Sequence, residues 1–111
     1  MPEAFAPKPF RCDEDARENV LYLRPHGDLD MSTAPVLEQA LRDGIERGQH
    51  SIVIDLRGLN FMDSTGLTLV SRFNNESRRD GFNLALIAGE PRVMRLFSLT
   101  GLAEYFTFVS G

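Results

Sequence analysis

The chain has 111 residues, 42% of them hydrophobic and 25% charged, which fits one domain over residues 1–111 that can bury a core without a disulfide or a metal ion. The formal net charge of -4 at pH 7 argues against nucleic-acid binding, and no apolar run reaches the ~18–20 residues of a membrane span. Cys12, the only cysteine, excludes an internal disulfide and, with an N-terminus unlike a signal peptide, predicts a cytoplasmic protein.

The first predicted elements are two strands separated by a polar turn. Residues 5–12 could form a strand, although two prolines confine it to a sheet edge. The polar residues 13–19 indicate a turn. Residues 20–24 predict a second strand, which ends at residues 25–27, where a proline and a glycine flank a histidine.

A first helix follows these strands. Ser32 or Thr33 can cap it, and Pro35 suits its first turn, where an amide hydrogen would have no partner. Gly48 is a plausible end of the helix. Its apolar face, spaced at i, i+4 and i+8, is formed by Leu37, Leu41 and Ile45.

The second half of the chain alternates strands with helices. Residues 51–56 are almost continuously apolar, which is typical of a strand covered on both faces. A second helix is predicted from about Ser64 to Arg79. The remaining predicted elements are a buried strand at residues 83–88, a third helix from Pro91 to Gly101 and a short strand at residues 105–109.

This order predicts an α/β fold in which a mixed sheet is packed with helices. The strand at residues 51–56, the second helix and the strand at residues 83–88 should form a right-handed crossover. Binding sites in such sheets tend to lie beyond the C-terminal ends of the strands. The predicted loop at residues 56–63 lies at one of those ends, so it is a candidate for the functional site.

The motif FMDSTGL at residues 61–67 places a serine hydroxyl at the start of the second helix. The Asp63 carboxylate can cap this helix by accepting hydrogen bonds from the amides of Thr65 or Gly66, worth ~1 kcal/mol. Ser64 is then the first helical residue, and a phosphate there would gain roughly 0.3–1 kcal/mol from the helix dipole. The missing side chain of Gly66 would let another backbone or a nucleotide come close. The same residues also describe an ordinary helix start with a solvated serine.

Three stretches, residues 23–41, 51–70 and 88–102, together resemble the STAS domains of bacterial anti-sigma factor antagonists. The resemblance covers residues 20–109, and FMDSTGL is its most specific part. It implies a STAS fold and a non-enzymatic protein without a cofactor. It also implies that Ser64 is phosphorylated by an anti-sigma factor that is itself a serine kinase. The unmodified antagonist would bind this kinase and free a sigma factor, and a PP2C-type phosphatase would reset the modified form.

The resemblance also predicts the surface that meets the kinase, which comprises residues 56–66, the start of the second helix and the turn at residues 27–33. Asp30 matches a family acid near the phosphorylation site, and Arg57 could contact a phosphate or an acidic partner. Thr65 stands where many relatives have a second serine, which leaves open a second acceptor. The predicted partner-binding residues are Asp28, Asp30, Ser32, Arg57, Asn60, Met62, Asp63, Thr65 and Gly66.

Two other functions remain open from the sequence. A serine hydrolase would need a glycine two residues before Ser64, where Met62 stands, and a base, for which only His26 and His50 are present. A STAS subunit of another assembly, in signalling or lipid transport, is the second alternative. A metal site is not expected, because no second cluster of ligands completes the residues near His26.

Overall fold

The computed structural model describes residues 9–111. The strands are β1 (Arg11–Arg17), β2 (Val20–Leu29), β3 (Ser51–Asp55), β4 (Leu59–Met62) and β5 (Asn83–Ile87). The helices are α1 (Ala34–Glu46), α2 (Ser64–Asp80) and α3 (Pro91–Thr100), with short 3-10 helices at Leu56–Gly58 and Ala103–Tyr105. The predicted α/β class is confirmed.

The sheet is mixed, as predicted, with the strand order β1-β2-β3-β5. β1 is antiparallel to β2, whereas β3 is parallel to both β2 and β5. β4 pairs in parallel with the C-terminal part of β2. The C-terminal ends of β2, β3, β4 and β5 therefore meet at one edge of the sheet, and α1 and α2 both begin there.

The start of the chain differs from the prediction. β1 occupies most of residues 13–19, which were predicted as a turn, and only Glu18 and Asn19 turn the chain, Glu18 with a φ of 55°. The cause is that β1 is an exposed edge strand, which can carry polar side chains while its backbone pairs with β2. Of the strand predicted at residues 5–12, residues 5–8 lie outside the described residues, whereas Arg11 and Cys12 belong to β1.

β2 is longer than predicted, because Pro25 lies where the strand changes partner. Pairing with β3 ends at Leu23, and pairing with β4 begins at Gly27. Neither β3 nor β4 pairs with β2 at residue 25, so the lack of an amide hydrogen on Pro25 breaks no hydrogen bond to these strands. The predicted loop at residues 56–63 is likewise wrong, since it contains a 3-10 helix and β4.

The strand predicted at residues 105–109 is reduced to one isolated bridge between Leu86 and Phe108. The rings of Phe106 and Phe108 meet the ring of Phe97 edge-on, with centroids 5.3 and 6.0 Å apart. Aromatic packing on α3 therefore holds this segment where a regular ladder was expected.

The core lies between the sheet and the helices. Gly44 sits in α1, and a Cβ there would come within 2.6 Å of a Leu21 methyl group, so its absence lets α1 lie close on β2. The largest fully buried side chains include Leu21, Leu23, Leu37, Leu41, Ile52, Ile54, Phe73, Leu86 and Phe97. Within the described residues, no helix has the length and apolar character needed to cross a bilayer.

Candidate functional site

The site is built around the junction between β4 and α2. Asp63 caps α2 as predicted, because its Oδ1 accepts hydrogen bonds from the amides of Thr65 at 2.9 Å and Gly66 at 3.2 Å. The amide of Asp63 donates to the carbonyl of Leu29, 3.1 Å away. Asp63 therefore fixes the start of α2 beside the end of β2.

Ser64 is the first residue of α2 and is exposed. Its hydroxyl makes no hydrogen bond within the described part of the chain, because Asp63 performs the capping. Thr65, the alternative acceptor, is half-buried and follows on the next helical position. The Ser64 hydroxyl is thus the more accessible of the two to an incoming reagent.

Ser64 lines a shallow groove of about 290 Å³ between the starts of α1 and α2. The groove is closed by an ion pair in which Arg72 donates to Glu38 over 2.7 Å. The other lining residues are Ala34, Thr65, Thr68 and Leu69. The groove shows that the two helix starts are neighbours, although they are distant in sequence.

Asp30 organises the turn that leads into α1. Its Oδ1 accepts hydrogen bonds from the Ser32 hydroxyl at 2.7 Å and from the amides of Ser32 and Thr33 at 2.9 and 3.2 Å. These bonds, that from the Ser32 hydroxyl above all, hold the pKa of Asp30 below its ordinary value. Thr33 occupies the cap position, but its side chain makes no capping bond and its hydroxyl donates to the carbonyl of Asp28 instead. The predicted side-chain capping by Ser32 or Thr33 is therefore wrong. The amide of Ala34, the first residue of α1, donates to the main-chain carbonyl of Asp30 over 2.8 Å, and the Asp30 carboxylate holds the turn that precedes the helix.

Several predicted contact residues lie together at this edge. Asp28 is exposed and faces Phe61 of β4 in the sheet register, and Asn60 is exposed on the same strand. Asp30 and Asp63 are half-buried beside them. The β2–β4 pairing therefore brings carboxylates from two chain segments to the edge of the sheet at which α2 begins with Ser64.

Met62 and Gly66 are not placed to contact a partner. Met62 is only 4% exposed and Gly66 is buried. A Cβ on Gly66 would lie 2.7 Å from Met62 Cγ and 2.9 Å from two carbon atoms of Leu29. The prediction that Gly66 leaves room for another molecule is therefore wrong, because the room is filled by the protein's own core.

The Arg57 side chain binds Asp55 and does not line the groove that holds Ser64. Its Nε and Nη2 donate to the two carboxylate oxygens of Asp55 at 3.0 and 2.9 Å, and it lines a different cavity from Ser64. Arg24 also binds Asp55, with Nη2 2.6 Å from Oδ2. Burial of Asp55 works against ionisation, but the hydrogen bonds from Arg57 and Arg24 outweigh it and lower the pKa of Asp55 to about 2. The sequence signal for this arrangement was an acid inside an apolar strand, since buried carboxylates are normally paired.

Neither histidine contacts Ser64. His26 Nε2 lies 2.9 Å from Asp13 Oδ2 on β1, and His50 precedes β3 at the opposite edge of the sheet. Burial, reinforced by two neighbouring carboxylates, raises the pKa of the Cys12 thiol to about 12, which keeps this thiol protonated at neutral pH. Among residues 9–111, no three potential ligands from His, Cys, Asp and Glu are grouped to hold a metal ion.

Comparison with known proteins identifies sequence relatives. The family model described as "STAS domain" matches residues 13–110. An anti-sigma-B factor antagonist from Staphylococcus epidermidis is 35% identical over 78 residues, which are 70% of this chain and 72% of that protein.

Solved structures are similar over nearly the whole chain. An anti-sigma factor antagonist from Mycobacterium paratuberculosis has a TM-score of 0.83 and 28% identity, and the match covers 96% of this chain and 90% of that chain. The anti-sigma factor antagonist SpoIIAA in its unphosphorylated form has a TM-score of 0.72 and 24% identity, covering 92% and 89%. The second likeness concerns the fold alone.

Proposed function

The chain belongs to the STAS domain family, and we propose that it is an anti-sigma factor antagonist controlled by phosphorylation of Ser64. In its unmodified form it binds an anti-sigma factor that is also a serine kinase, and a sigma factor is released. Phosphate on Ser64 ends this binding, and a PP2C-type phosphatase restores the unmodified form. The observation that carries the proposal is the exposed hydroxyl of Ser64 at the capped start of α2, which makes no hydrogen bond within residues 9–111.

A phosphate at this position is compatible with the fold. Ser64 is exposed, and the negative charge lies at the positive end of the α2 dipole, which favours an anion by roughly 0.3–1 kcal/mol. Asp63 keeps its capping bonds because they do not involve Ser64. The modification therefore alters the surface without unfolding the helix.

The same phosphate is incompatible with the bound kinase. To modify Ser64, the kinase must hold the γ-phosphate of its nucleotide against the Ser64 hydroxyl. After transfer, a group carrying roughly -1.5 to -2 charges occupies that place, next to Asp63 and the remaining nucleotide phosphates. Repulsion between these like charges favours release of the modified antagonist.

The proposal includes the setting in which the protein works. Residues 1–111 form one domain, and the protein acts in the cytoplasm, where a sigma factor meets RNA polymerase. Its role is regulatory, since a hydrolase built on Ser64 needs an adjacent base, and among the described residues neither His26 nor His50 lines the groove that holds Ser64.

The proposal is tested by mapping the modified residue. The protein is incubated with ATP and each candidate anti-sigma kinase from the same genome, and the phosphate is located by mass spectrometry. We expect it on Ser64, so that Ser64→Ala abolishes the modification while the matched variant Thr65→Ala retains it. Phosphate mainly on Thr65 or on another residue would contradict the proposal.

A further inference from the structure

We infer that Met31 and Phe61 are the apolar anchors by which the kinase docks around Ser64, an inference that rests on the proposed function. Met31 is 78% exposed and Phe61 is 49% exposed. Single exposed apolar residues are common on protein surfaces, but these two lie on the segments that lead into α1 and α2.

The two residues occupy equivalent places before neighbouring helices. Met31 stands three residues before the start of α1, and Phe61 stands three residues before Ser64. The parallel pairing of β4 with β2 aligns these segments, with Asp28 opposite Phe61 and Leu29 opposite Met62. Met31 and Ser64 therefore each stand two residues beyond the same paired position. Three extended residues span at most about 10 Å, whereas one side of a standard interface covers about 800 Å², or roughly 30 Å across. A partner centred on Ser64 therefore covers both side chains.

The charges around the two anchors specify the chemistry of that partner. Asp28, Asp30 and Asp63 lie on the same two segments, and neither residues 27–33 nor residues 59–68 contain a lysine or an arginine. Arg72, at the far wall of the groove, is neutralised by Glu38. The complementary kinase surface has apolar pockets for Met31 and Phe61 and a basic rim, which is the usual anatomy of a specific interface.

The two kinds of contact contribute differently. The carboxylates guide the approach of a basic partner, and their effect is screened by salt. Burial of Met31 and Phe61 is not screened, and methionine and phenylalanine are enriched in the cores of protein interfaces. The apolar pair therefore determines how long the complex persists.

The test replaces each anchor by a polar residue and measures binding to the kinase that phosphorylates Ser64. We expect Met31→Gln and Phe61→Gln each to weaken binding about tenfold or more, as truncation of a central anchor does. The control is Leu99→Gln, because Leu99 is 76% exposed but lies on α3, outside the segments that adjoin Ser64. The affinity of Leu99→Gln for the kinase should stay within about twofold of that of the unchanged protein. The melting temperature of Met31→Gln should match that of the unchanged protein.

Repeating the titrations at high salt separates the two contributions. Salt should weaken every complex, while the ratio between the unchanged protein and Met31→Gln stays constant. If both anchor variants bind like the unchanged protein, or if Leu99→Gln loses as much as Met31→Gln, the inference is overturned while the proposed function stands. If no candidate kinase binds or modifies the unchanged protein, the proposed function fails and the inference fails with it.

Discussion

At the residue scale, the exposure of Ser64 depends on buried neighbours that no partner touches. Gly66 follows Ser64 by two positions and lies against Leu29 and Met62. Because Gly66 has no Cβ, the first turn of α2 can rest directly on the end of β2. This close approach holds the helix start at the edge of the sheet and leaves the Ser64 hydroxyl on the surface.

Gly66→Val is therefore expected to destabilise the fold. The new side chain would begin 2.7 Å from Met62 Cγ, and overpacking of this kind typically costs about 1–3 kcal/mol. The better helix propensity of valine recovers only a few tenths of a kcal/mol. Urea unfolding measures the change in the free energy of unfolding.

The matched control for Gly66→Val is Thr68→Val, which adds no volume on the exposed side of the same helix. We expect this control to stay within about ±0.5 kcal/mol of the unchanged protein. A Gly66→Val variant as stable as the control, but no longer phosphorylated, would instead show that Gly66 contacts the kinase.

At the element scale, Asp55 joins the end of β3 to its surroundings. Its carboxylate binds Arg24 of β2 and both the side chain and the amide of Arg57, which follows in the 3-10 helix. Asp55 is only 2% exposed, so its charge depends on these partners. These bonds form a clamp between Asp55, Arg24 and Arg57. The clamp directs the chain from β3 towards β4, the strand that carries Phe61 and leads to Ser64.

This clamp should make stability depend on pH in the acid range. The pKa of Asp55 falls from an ordinary 3.8 to about 2 in the folded protein. The stabilisation is thus fully present above pH 3.8 and is lost as the pH falls through about 2. It amounts to at most about 2 kcal/mol, because the two arginines are half exposed to water.

Denaturant unfolding between pH 2 and 7 tests this expectation. Asp55→Asn should be less stable than the unchanged protein at pH 7, and the difference should shrink towards pH 2. Asp80→Asn, which removes an exposed partner of Arg79, is the control and should cost no more than about 1 kcal/mol. A stability difference for Asp55→Asn that stays constant over this range would show that the Asp55 charge is not the stabilising feature.

At the scale of the whole molecule, prediction from the sequence succeeded where the signal is local. The α2 cap needs only Asp63 and the amides two and three residues later, so it could be predicted from FMDSTGL. β4 could not, because its four residues form a strand only through pairing with β2. The role of Arg57 was missed although Asp55 is only two residues away, because the sequence does not show that Asp55 is also bound by Arg24 of β2 and buried there.

The exposed site also depends on the arrangement of the whole sheet. Parallel strands bring the turn of Asp30 and the start of α2 to one edge, although more than thirty residues separate them. Sequence spacing could place each segment after a strand, but only the β2–β4 register shows that Asp28 and Phe61 are opposite each other. The resulting surface is acidic with two apolar side chains, and Ser64 lies within it.

The central claim is that negative charge at Ser64 ends binding to the kinase, and calorimetric titration of two variants tests it most directly. Ser98→Asp is the control, because it makes the same substitution at an exposed position of α3, outside the segments that adjoin Ser64. We predict that Ser64→Ala and Ser98→Asp bind the kinase nearly as well as the unchanged protein, whereas Ser64→Asp binds at least tenfold more weakly, a loss of about 1.4 kcal/mol or more. Equal affinity of Ser64→Ala and Ser64→Asp for the kinase would contradict the account.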